Sequence, residues 1–597
     1  MNRGSAYWLP LWAIAVMGAA CGGKSRLDST AMPGGTGGAT SGSGGNGGSD
    51  VPSCWCPPGC NANEKAFAPA RIWQITDRQY ANIVRDVLGI TLSGSDTEIS
   101  QTGDASGDFR NLADERPTFT DMLAMNYMTA AEKVAERASA PAVMARLLGS
   151  STPSVEDVAA FVATKVPRLL RRPITATETA TLMKIYSDAN SDASDAAYAF
   201  GLIIEAVLQW PSFLFRTELG PGDAPAQAPF RLTPHELAAA TSFALADSAP
   251  DEALWNKADN ATLTSSDVLA AEVDRLLALP SVQTNLAKYL SYWLWIERVP
   301  SREKDPVLFP EYTPTLRQSL YESGFAFLKD TATSGTLSDL FTSRKIYVNR
   351  EISDVYGIPG GTGVLPTALQ AVSTTQPERG AGLLTQPALL AATNKRPALL
   401  DPIHHGLFVL LELLDGADTG PIPAPPAGEL AAAAAMQGTE RELAQKRGQT
   451  SACSGCHPLF DNYGLTRSRY DAIGRYSETR YVNGDTSVTP ASYTWATSPT
   501  PIDASATIPA ALGPDLKGTL ADTPALAAQL DSDRVRRRVA FSAGRHLARY
   551  AVGYDATQLN SCGLYDLKEH LYRTGSFRSF FKELITSSGF QTRHPGM

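Results

Sequence analysis

Along most of the chain after residue 70, apolar residues recur every three or four positions, a spacing that places them on one face of a helix. Thr76, Thr175 and Thr233 are each followed three residues later by Gln or Glu, the pattern of a capping box at a helix start. Gly89 is placed to end the first of these helices, and Pro234 suits the first turn of the third. The pattern predicts a mainly α-helical protein.

The same spacing runs through longer stretches and predicts helices over Phe200–Glu218, Val268–Leu277, Leu286–Trp295 and Leu316–Ala332. Trp293 and Trp295 flank an apolar helix, so we expect both in the core. Strand-like alternation is scarce. The exception is a small β element near residues 478–518, where Asn483-Gly484 predicts a tight hairpin turn.

Composition and charge narrow the class of protein. A chain of 597 residues with 43% hydrophobic residues can form several domains with real cores. The net charge is −9, and nucleic-acid binders usually show a clustered basic face, so no nucleic-acid partner is expected. The short basic run at 534–538 lies in an amphipathic helical pattern and predicts a solvated helix face.

The first 21 residues have the features of an export signal. Arg3 supplies a positive charge, and the apolar stretch Ala6–Met17 is too short to span a bilayer. Small residues then lead directly to Cys21. This arrangement resembles the lipobox of bacterial lipoproteins, which implies lipidation of Cys21. By resemblance to lipoprotein sorting, Gly22 and Gly23 give no inner-membrane retention signal, which implies anchoring in the outer membrane, facing the periplasm or the cell surface. A plain signal peptide with an incidental cysteine is the alternative.

Residues 22–53 are rich in Gly and Ser and have almost nothing apolar to bury, so we expect a disordered tether.

Beyond Cys21 and the two cysteines of the motif described next, four cysteines remain in a chain predicted to enter an oxidising compartment. They allow three pairings, and the sequence does not choose among them. These four are Cys54, Cys56, Cys60 and Cys562.

The segment Cys453-Ser454-Gly455-Cys456-His457 carries the most specific chemistry. Two thiols separated by two residues match the two vinyl groups of a porphyrin, and the next residue places an imidazole under the iron. The motif therefore predicts one covalent haem c, with His457 as an axial iron ligand. The main alternative is a Cys453–Cys456 disulfide.

Other metal and redox sites fit the sequence less well. A structural zinc site needs four ligands, and no second Cys-x-x-Cys is present. A thioredoxin-like dithiol needs a βαβ setting, which the pattern lacks. Asp401, His404 and His405 are polar enough to hold a metal, but adjacent residues on a helix point in different directions. We expect them to be exposed or capping residues.

The second axial ligand is left open. No methionine lies between Met436 and Met597, so the candidates are Met436, His546 and His570. A lone histidine in a helix is more often structural. The iron could also be five-coordinate or bound by water. Six-coordinate iron favours electron transfer, whereas an open site permits ligand binding or redox catalysis.

The order of several motifs resembles a family of multidomain exported proteins, abundant in planctomycetes and myxobacteria, that string together domains DUF1587, DUF1595, DUF1592, DUF1588 and DUF1585. Residues 75–89 resemble the first domain and residues 169–175 the second. The third is resembled by 208–216 with 231–233 and 348–357, and the fourth by 379–386 with the haem motif and 470–476. The fifth is resembled by 518–519 with 550–553 and 587–593. This resemblance implies a cytochrome-like protein of helical modules and supplies no substrate.

We expect the chain to comprise a signal peptide (1–21), the tether (22–53), a Cys-containing segment with a first helical module (54–150), a second module (151–226), a third (227–360), a haem-binding module (375–478) and a C-terminal module (500–593).

The chain departs from the family pattern at two places. The family pattern Asp-Pro-x-Gly-Phe reads Asp461-Asn462-Tyr463-Gly464-Leu465 here, and its Arg-Gly reads His405-Gly406.

Three functions fit these expectations. The first is a monohaem cytochrome exchanging electrons with a periplasmic or surface partner protein, based on Cys453, Cys456 and His457. The second is a haem-dependent redox enzyme with an open iron site, based on the missing obvious sixth ligand. The third is a non-catalytic binding or scaffold lipoprotein, based on a helical body larger than a haem requires.

Overall fold

The computed structural model of the protein describes residues 68–92, 119–222, 228–397, 399–418, 439–450, 453–483, 494–553 and 561–595. Several predicted features lie outside these residues: the signal peptide with Cys21, the tether 22–53, Cys54, Cys56, Cys60, Met436 and the side chain of Cys562. Lipidation and the disulfide pairing therefore stay predictions. Within the described ranges, no helix combines the length and apolar character needed to cross a membrane.

The protein is mainly α-helical, which confirms the predicted fold class. The first group of helices covers residues 77–214: α1 (Asp77–Ile83), α2 (Asp121–Ala138), α3 (Pro141–Leu148), α4 (Val155–Thr164), α5 (Val166–Leu170), α6 (Ala176–Ala193), α7 (Ala196–Gln209) and α8 (Pro211–Leu214). Their apolar faces enclose one hydrophobic core. A π-helical turn (Val84–Leu88) extends α1 and ends at Gly89, whose φ of 64° is left-handed.

The predicted capping boxes are present. Thr76, Thr175 and Thr233 each accept a hydrogen bond from the backbone N–H three residues on, and the Gln or Glu side chain there accepts in return. Pro234 lies in the first turn of its helix as expected. These boxes are local in sequence, which is why the pattern alone located the helix starts.

The helix predicted over Phe200–Glu218 is wrong beyond Gln209. Proline disfavours the helical region for the residue before it, and Trp210 is accordingly extended, with ψ of 140°. The chain makes the short α8 and then strand β3 (Phe215–Glu218), which pairs antiparallel with β2 (Arg71–Gln74). This ribbon brings Arg71 opposite Glu218.

Two further groups of helices follow. Residues 234–413 contain α9 (Pro234–Ala246), α10 (Glu252–Asp259), α11 (Ser266–Leu277), α12 (Pro280–Trp293), α13 (Pro314–Thr333), α14 (Asp339–Thr342), α15 (Arg350–Tyr356), α16 (Pro387–Ala392) and α17 (Pro402–Leu407), which a π-helical segment extends over Phe408–Leu413. Strands β5 (Lys345–Val348) and β6 (Gln370–Ser373) pair antiparallel among them.

The last group comprises α18 (Glu440–Gln449), α19 (His457–Leu465), α20 (Thr523–Leu530), α21 (Asp533–Val552), α22 (Ser561–Thr574), α23 (Phe577–Thr586) and α24 (Ser588–Gln591). Together with the preceding group these helices share a single hydrophobic core. Trp293 and Trp295 are buried in it, as predicted. The modules predicted at 227–360, 375–478 and 500–593 are therefore packed as one body.

The small β element lies where the sequence placed it, but its turn was predicted wrongly. Strand β7 (Thr479–Asn483) pairs antiparallel with β8 (Thr494–Pro501), and β9 (Ala506–Ile508) pairs with β10 (Gly518–Leu520). Asn483 lies opposite Thr494, so ten residues connect the strands instead of a two-residue turn at Asn483-Gly484. The pairing with β8 begins only at Thr494, so the strand register overrides the local turn preference of Asn483-Gly484.

The basic run in α21 was expected to be a solvated face, and it is instead largely ion-paired. Arg537 contacts Glu569 of α22 at 2.9 Å, and Arg538 contacts Asp515 at 2.8 Å. These pairs attach α21 to its neighbours, and the carboxylates balance the positive charges of the two guanidinium groups.

The beginning and the end of the described chain meet in a three-stranded sheet. Strand β1 (Ala68–Pro69) runs parallel to β11 (Thr592–His594), which pairs antiparallel with β4 (Phe230–Arg231). Beside this sheet, the buried Glu218 accepts from Arg71 Nε at 2.8 Å and from Arg593 Nε at 2.6 Å. The ion pairs thus join three distant segments of the chain.

We predict that Glu218→Gln lowers the free energy of unfolding by about 3–5 kcal/mol, because it leaves buried guanidinium groups without their counter-charge. Chemical denaturation followed by circular dichroism measures this loss. Asp188→Asn is the control, since Asp188 pairs with Lys184 at the exposed surface and should change stability by less than about 1 kcal/mol. Equal effects of the two variants would contradict the prediction.

The same site gives stability a pH dependence. Burial alone would raise the pKa of Glu218, but Arg593, Arg71 and Arg216 outweigh it and hold that pKa below its usual range. A lowered carboxyl pKa stabilises the fold above the unfolded-state pKa of about 4.3 and loses this contribution as the pH falls below it. The difference in stability between wild type and Glu218→Gln should therefore shrink on acidification.

Candidate functional site

The Cys453–His457 segment forms a tight turn that leads directly into α19. The backbone N–H of Cys453 donates to Thr450 O at 2.9 Å, and the Cys453 carbonyl accepts from the N–H groups of Cys456 (3.2 Å) and His457 (3.0 Å). Both thiols are free, with Cys453 buried and Cys456 half-buried against the main core. The two sulfurs and the imidazole therefore belong to one helical turn, and no disulfide joins the thiols.

The His457 imidazole is fixed from one side by a buried carboxylate. His457 Nδ1 lies 3.1 Å from Asp461 Oδ2, one helical turn further along α19. The same oxygen accepts from Arg447 Nε of α18 at 2.8 Å. The side chains of Arg447 and Asp461 are 7% and 2% exposed, whereas that of His457 is 20% exposed. The carboxylate is therefore buried and paired, while the imidazole reaches the edge of the protein.

A close contact between two helix backbones holds α19 in place. A Cβ atom on Gly464 would overlap the carbonyl oxygen of Pro402 in α17, and one on Gly406 would overlap the carbonyl oxygen of Phe460 in α19. Only glycine permits this approach, because any side chain would push the helices apart. Gly406 and Gly464 thus set the separation of the helix that carries His457 from the core behind it.

The three polar residues at the start of α17 have separate structural roles. Asp401 caps the helix by accepting from the His404 N–H, and its carboxylate also contacts His404 Nδ1 at 2.7 Å. His405 is fully buried, contrary to the expectation of exposure, and its Nδ1 lies 3.1 Å from Thr393 Oγ1. Burial, with Arg467 nearby, lowers the pKa of His405 well below its ordinary value. His405 is therefore neutral at physiological pH.

The histidines proposed as a second axial ligand have partners elsewhere. His546 Nε2 lies 3.2 Å from Glu412 Oε2, and His570 Nε2 lies 2.8 Å from Ser579 Oγ. Burial, followed by the positive charges of Arg545, Arg549 and Lys568, lowers the pKa of His546 well below its ordinary value. In the described ranges neither imidazole contacts the Cys453–His457 turn through these atoms. Met436 lies outside those ranges.

The segment at 470–476, which carried part of the family resemblance, joins the site to the rest of the core. Arg379 donates to the Gly474 carbonyl at 3.0 Å, and the Tyr356 hydroxyl donates to the Ile473 carbonyl at 2.8 Å. Arg475 binds Asp471 at 2.6 Å and also pairs with Glu311. These residues are structural, and they fasten the chain that follows α19 to the preceding module.

No cluster of three or more His, Cys, Asp or Glu side chains suited to a metal ion occurs within the described parts of the chain. The site thus consists of two thiols and one imidazole, with Asp461 and Arg447 behind the imidazole. Sequence reasoning missed the last two, although an acidic residue four positions after His457 on a helix was a usable signal.

Four families described as proteins of unknown function match successive parts of the chain. They are PSD3 (DUF1587) over residues 74–140, PSD5 (DUF1595) over 157–218, PSD4 (DUF1592) over 232–358 and PSCyt3 (DUF1588) over 380–480. The chain belongs to this multidomain, cytochrome-like family. No curated protein and no solved structure matches it. The resemblance of residues 500–593 to DUF1585 stays a prediction.

The DUF1588 match contains the whole site, including the Cys453–His457 turn. Of the family pattern Asp-Pro-x-Gly-Phe, this chain keeps the Asp and the Gly, which are Asp461 and Gly464. The geometry gives each a physical role, since Asp461 holds the His457 imidazole and Gly464 permits the close contact with α17. The substituted positions, Asn462 and Leu465, make neither contact.

We predict that Gly464→Ala destabilises the protein by about 1–3 kcal/mol, because the new methyl group overlaps backbone atoms of α17 that cannot move independently. Gly455→Ala is the matched control, since a Cβ atom there meets no atom within 4 Å. Urea denaturation of both variants measures the difference. A stability of Gly464→Ala equal to that of the control would show that the helix contact is looser than described.

Proposed function

We propose that the protein is an exported, lipid-anchored monohaem cytochrome of the c type that exchanges electrons with a periplasmic or surface partner protein. One observation carries the proposal. Cys453 and Cys456 are free thiols in the turn that ends at His457, and the imidazole is tied back through Nδ1. This is the set of groups that covalent haem attachment requires.

The residues fit a covalently held haem. Cys453 and Cys456 would form the two thioether bonds, and His457 would ligate the iron through Nε2. A haem bound there supplies a one-electron redox couple. Asp461 would accept a hydrogen bond from the Nδ1–H group and so leave the Nε2 lone pair available, while the contact of α19 with α17 limits movement of the imidazole.

A haem-dependent redox enzyme with an open iron site is the second candidate. The observation that favours it is the bonding of His546 to Glu412 and of His570 to Ser579, which engages both histidine candidates for the sixth position. A site with one protein ligand leaves the other face of an iron available to a small molecule.

Attachment to the outer membrane through a lipid on Cys21 is part of the proposal and rests on the sequence alone. We predict that the full-length chain made in a Gram-negative host incorporates labelled palmitate and fractionates with outer membranes. Cys21→Ser should abolish the labelling, whereas Cys54→Ser should not. Labelling that survives in Cys21→Ser would refute lipidation at this position.

We predict that the chain produced with the cytochrome c maturation system retains one haem after denaturing electrophoresis and gives the pyridine haemochrome spectrum of a doubly linked haem c. The double variant Cys453→Ser/Cys456→Ser should lose covalent haem completely, because no sulfur remains to form a thioether bond. Gly455→Ala changes the same turn and leaves the ligands intact, so it should retain haem. A wild-type chain without covalent haem would end the cytochrome proposal.

The two candidates differ in the state of the iron. If the iron is open, we expect the reduced protein to bind CO, and we expect His546→Gln and His570→Gln to leave the visible spectrum unchanged, since each imidazole is bonded elsewhere. Met436→Leu is measured in parallel. Loss of low-spin bands in one variant would identify that residue as the sixth ligand and favour electron transfer over catalysis.

A further inference from the structure

The buried carboxylate of Asp461 would neither form a thioether bond nor ligate iron itself. It is nevertheless the most deeply buried charged group in contact with His457, with its side chain 2% exposed. Burying a charge is costly unless it is paired, and residues that incur this cost often serve a purpose besides packing. The arrangement of its partners indicates what that purpose is.

We propose that Asp461, held by Arg447, is the positioning residue of the His457 imidazole, and that it keeps the proton on Nδ1 and increases the negative character of the ring. The consequence for the redox potential rests on the haem proposed above. The consequence for the proton does not, because it concerns only three side chains of this chain.

The position of the proton follows from donor and acceptor chemistry. An ionised carboxylate only accepts hydrogen bonds, so the 3.1 Å contact between Asp461 Oδ2 and His457 Nδ1 requires the proton on Nδ1. Arg447 donates to the same oxygen at 2.8 Å and already balances its charge. In the neutral ring this contact therefore selects the tautomer with the proton on Nδ1 and a free lone pair on Nε2.

Three features of the structure maintain the contact between His457 and Asp461. His457 and Asp461 are four residues apart on α19, which places them on the same side of the helix. Arg447 comes from α18, and its side chain is 7% exposed, so the guanidinium has little freedom to turn away. In the described ranges, Asp461 Oδ1 has no hydrogen-bond partner, so no second group draws the carboxylate from the imidazole.

The carboxylate also affects a metal bound to the opposite nitrogen. A hydrogen bond from Nδ1 to an anion makes the imidazole a stronger donor at Nε2, and this favours the more positive oxidation state of the metal. Arg447 moderates the effect by sharing the same oxygen. We therefore expect Asp461 to lower the reduction potential relative to a chain in which this position is neutral.

The first test needs no haem. The full-length chain, made without the maturation system and labelled with ¹⁵N histidine in a deuterated background, is examined by NMR, with His457→Gln used to assign the signal. The proposal predicts that the neutral ring carries its proton on Nδ1. A signal from a ring protonated only at Nε2 would overturn the proposal whatever the result for haem binding.

The second test uses the haem-loaded chain. Asp461→Asn keeps the shape and removes the charge, and at a fixed potential it should raise the ratio of reduced to oxidised protein at least tenfold, equivalent to 59 mV for one electron. Asp471→Asn is the control, because Asp471 pairs with Arg475 in the same module and has no contact with His457 among its described bonds. Equal potentials of wild type and Asp461→Asn would overturn the electrostatic role.

The two tests separate this proposal from the cytochrome proposal. If the chain acquires no haem, the cytochrome proposal fails, and the imidazole signal alone decides the role of Asp461. If haem is present but Asp461→Asn and Asp471→Asn behave alike, the cytochrome proposal stands and the electrostatic role of Asp461 fails.

Discussion

The contact between the backbones of α17 and α19 is the constraint on which the site depends. Because Gly406 and Gly464 carry no side chains, the two helices approach until each meets a carbonyl oxygen of the other. At this separation there is no room for a side chain at either glycine, and moving α19 closer to α17 would create overlap. The turn that precedes α19, and the imidazole at its first position, take their location from this contact.

Buried ion pairs also connect separate elements of the fold. Glu218 joins Arg71 and Arg593 near the two ends of the described chain, and Asp461 joins Arg447 to the helix of His457. Such pairs contribute little net stability relative to apolar residues, but breaking one leaves an uncompensated charge. Their main effect is to destabilise alternative packing arrangements, in which these charges would be buried without partners.

The sequence predicted what is local. Capping boxes and helix periodicity located most helices, because both depend on residues within one or two turns. The errors occur where contacts between residues distant in sequence determine the secondary structure. Phe215–Glu218, for example, is a strand that pairs with Arg71–Gln74. In the site, the two cysteines and His457 lie within five consecutive residues, so the sequence alone identified them. The pairing of Arg447 with Asp461 depends on how α18 packs against α19, and no rule of sequence spacing predicts it.

The site that results is asymmetric. Behind His457 the arrangement is fully specified, with a buried anion, a compensating cation and a helix fixed by glycine contacts. The two histidines considered as a second ligand are bonded to Glu412 and Ser579. If the proposed haem is bound here, its retention would not require a buried carboxylate behind one ligand, because thioether bonds are covalent and do not depend on ligand strength. The carboxylate would instead set the donor strength of the imidazole, which matters for redox chemistry and not for attachment.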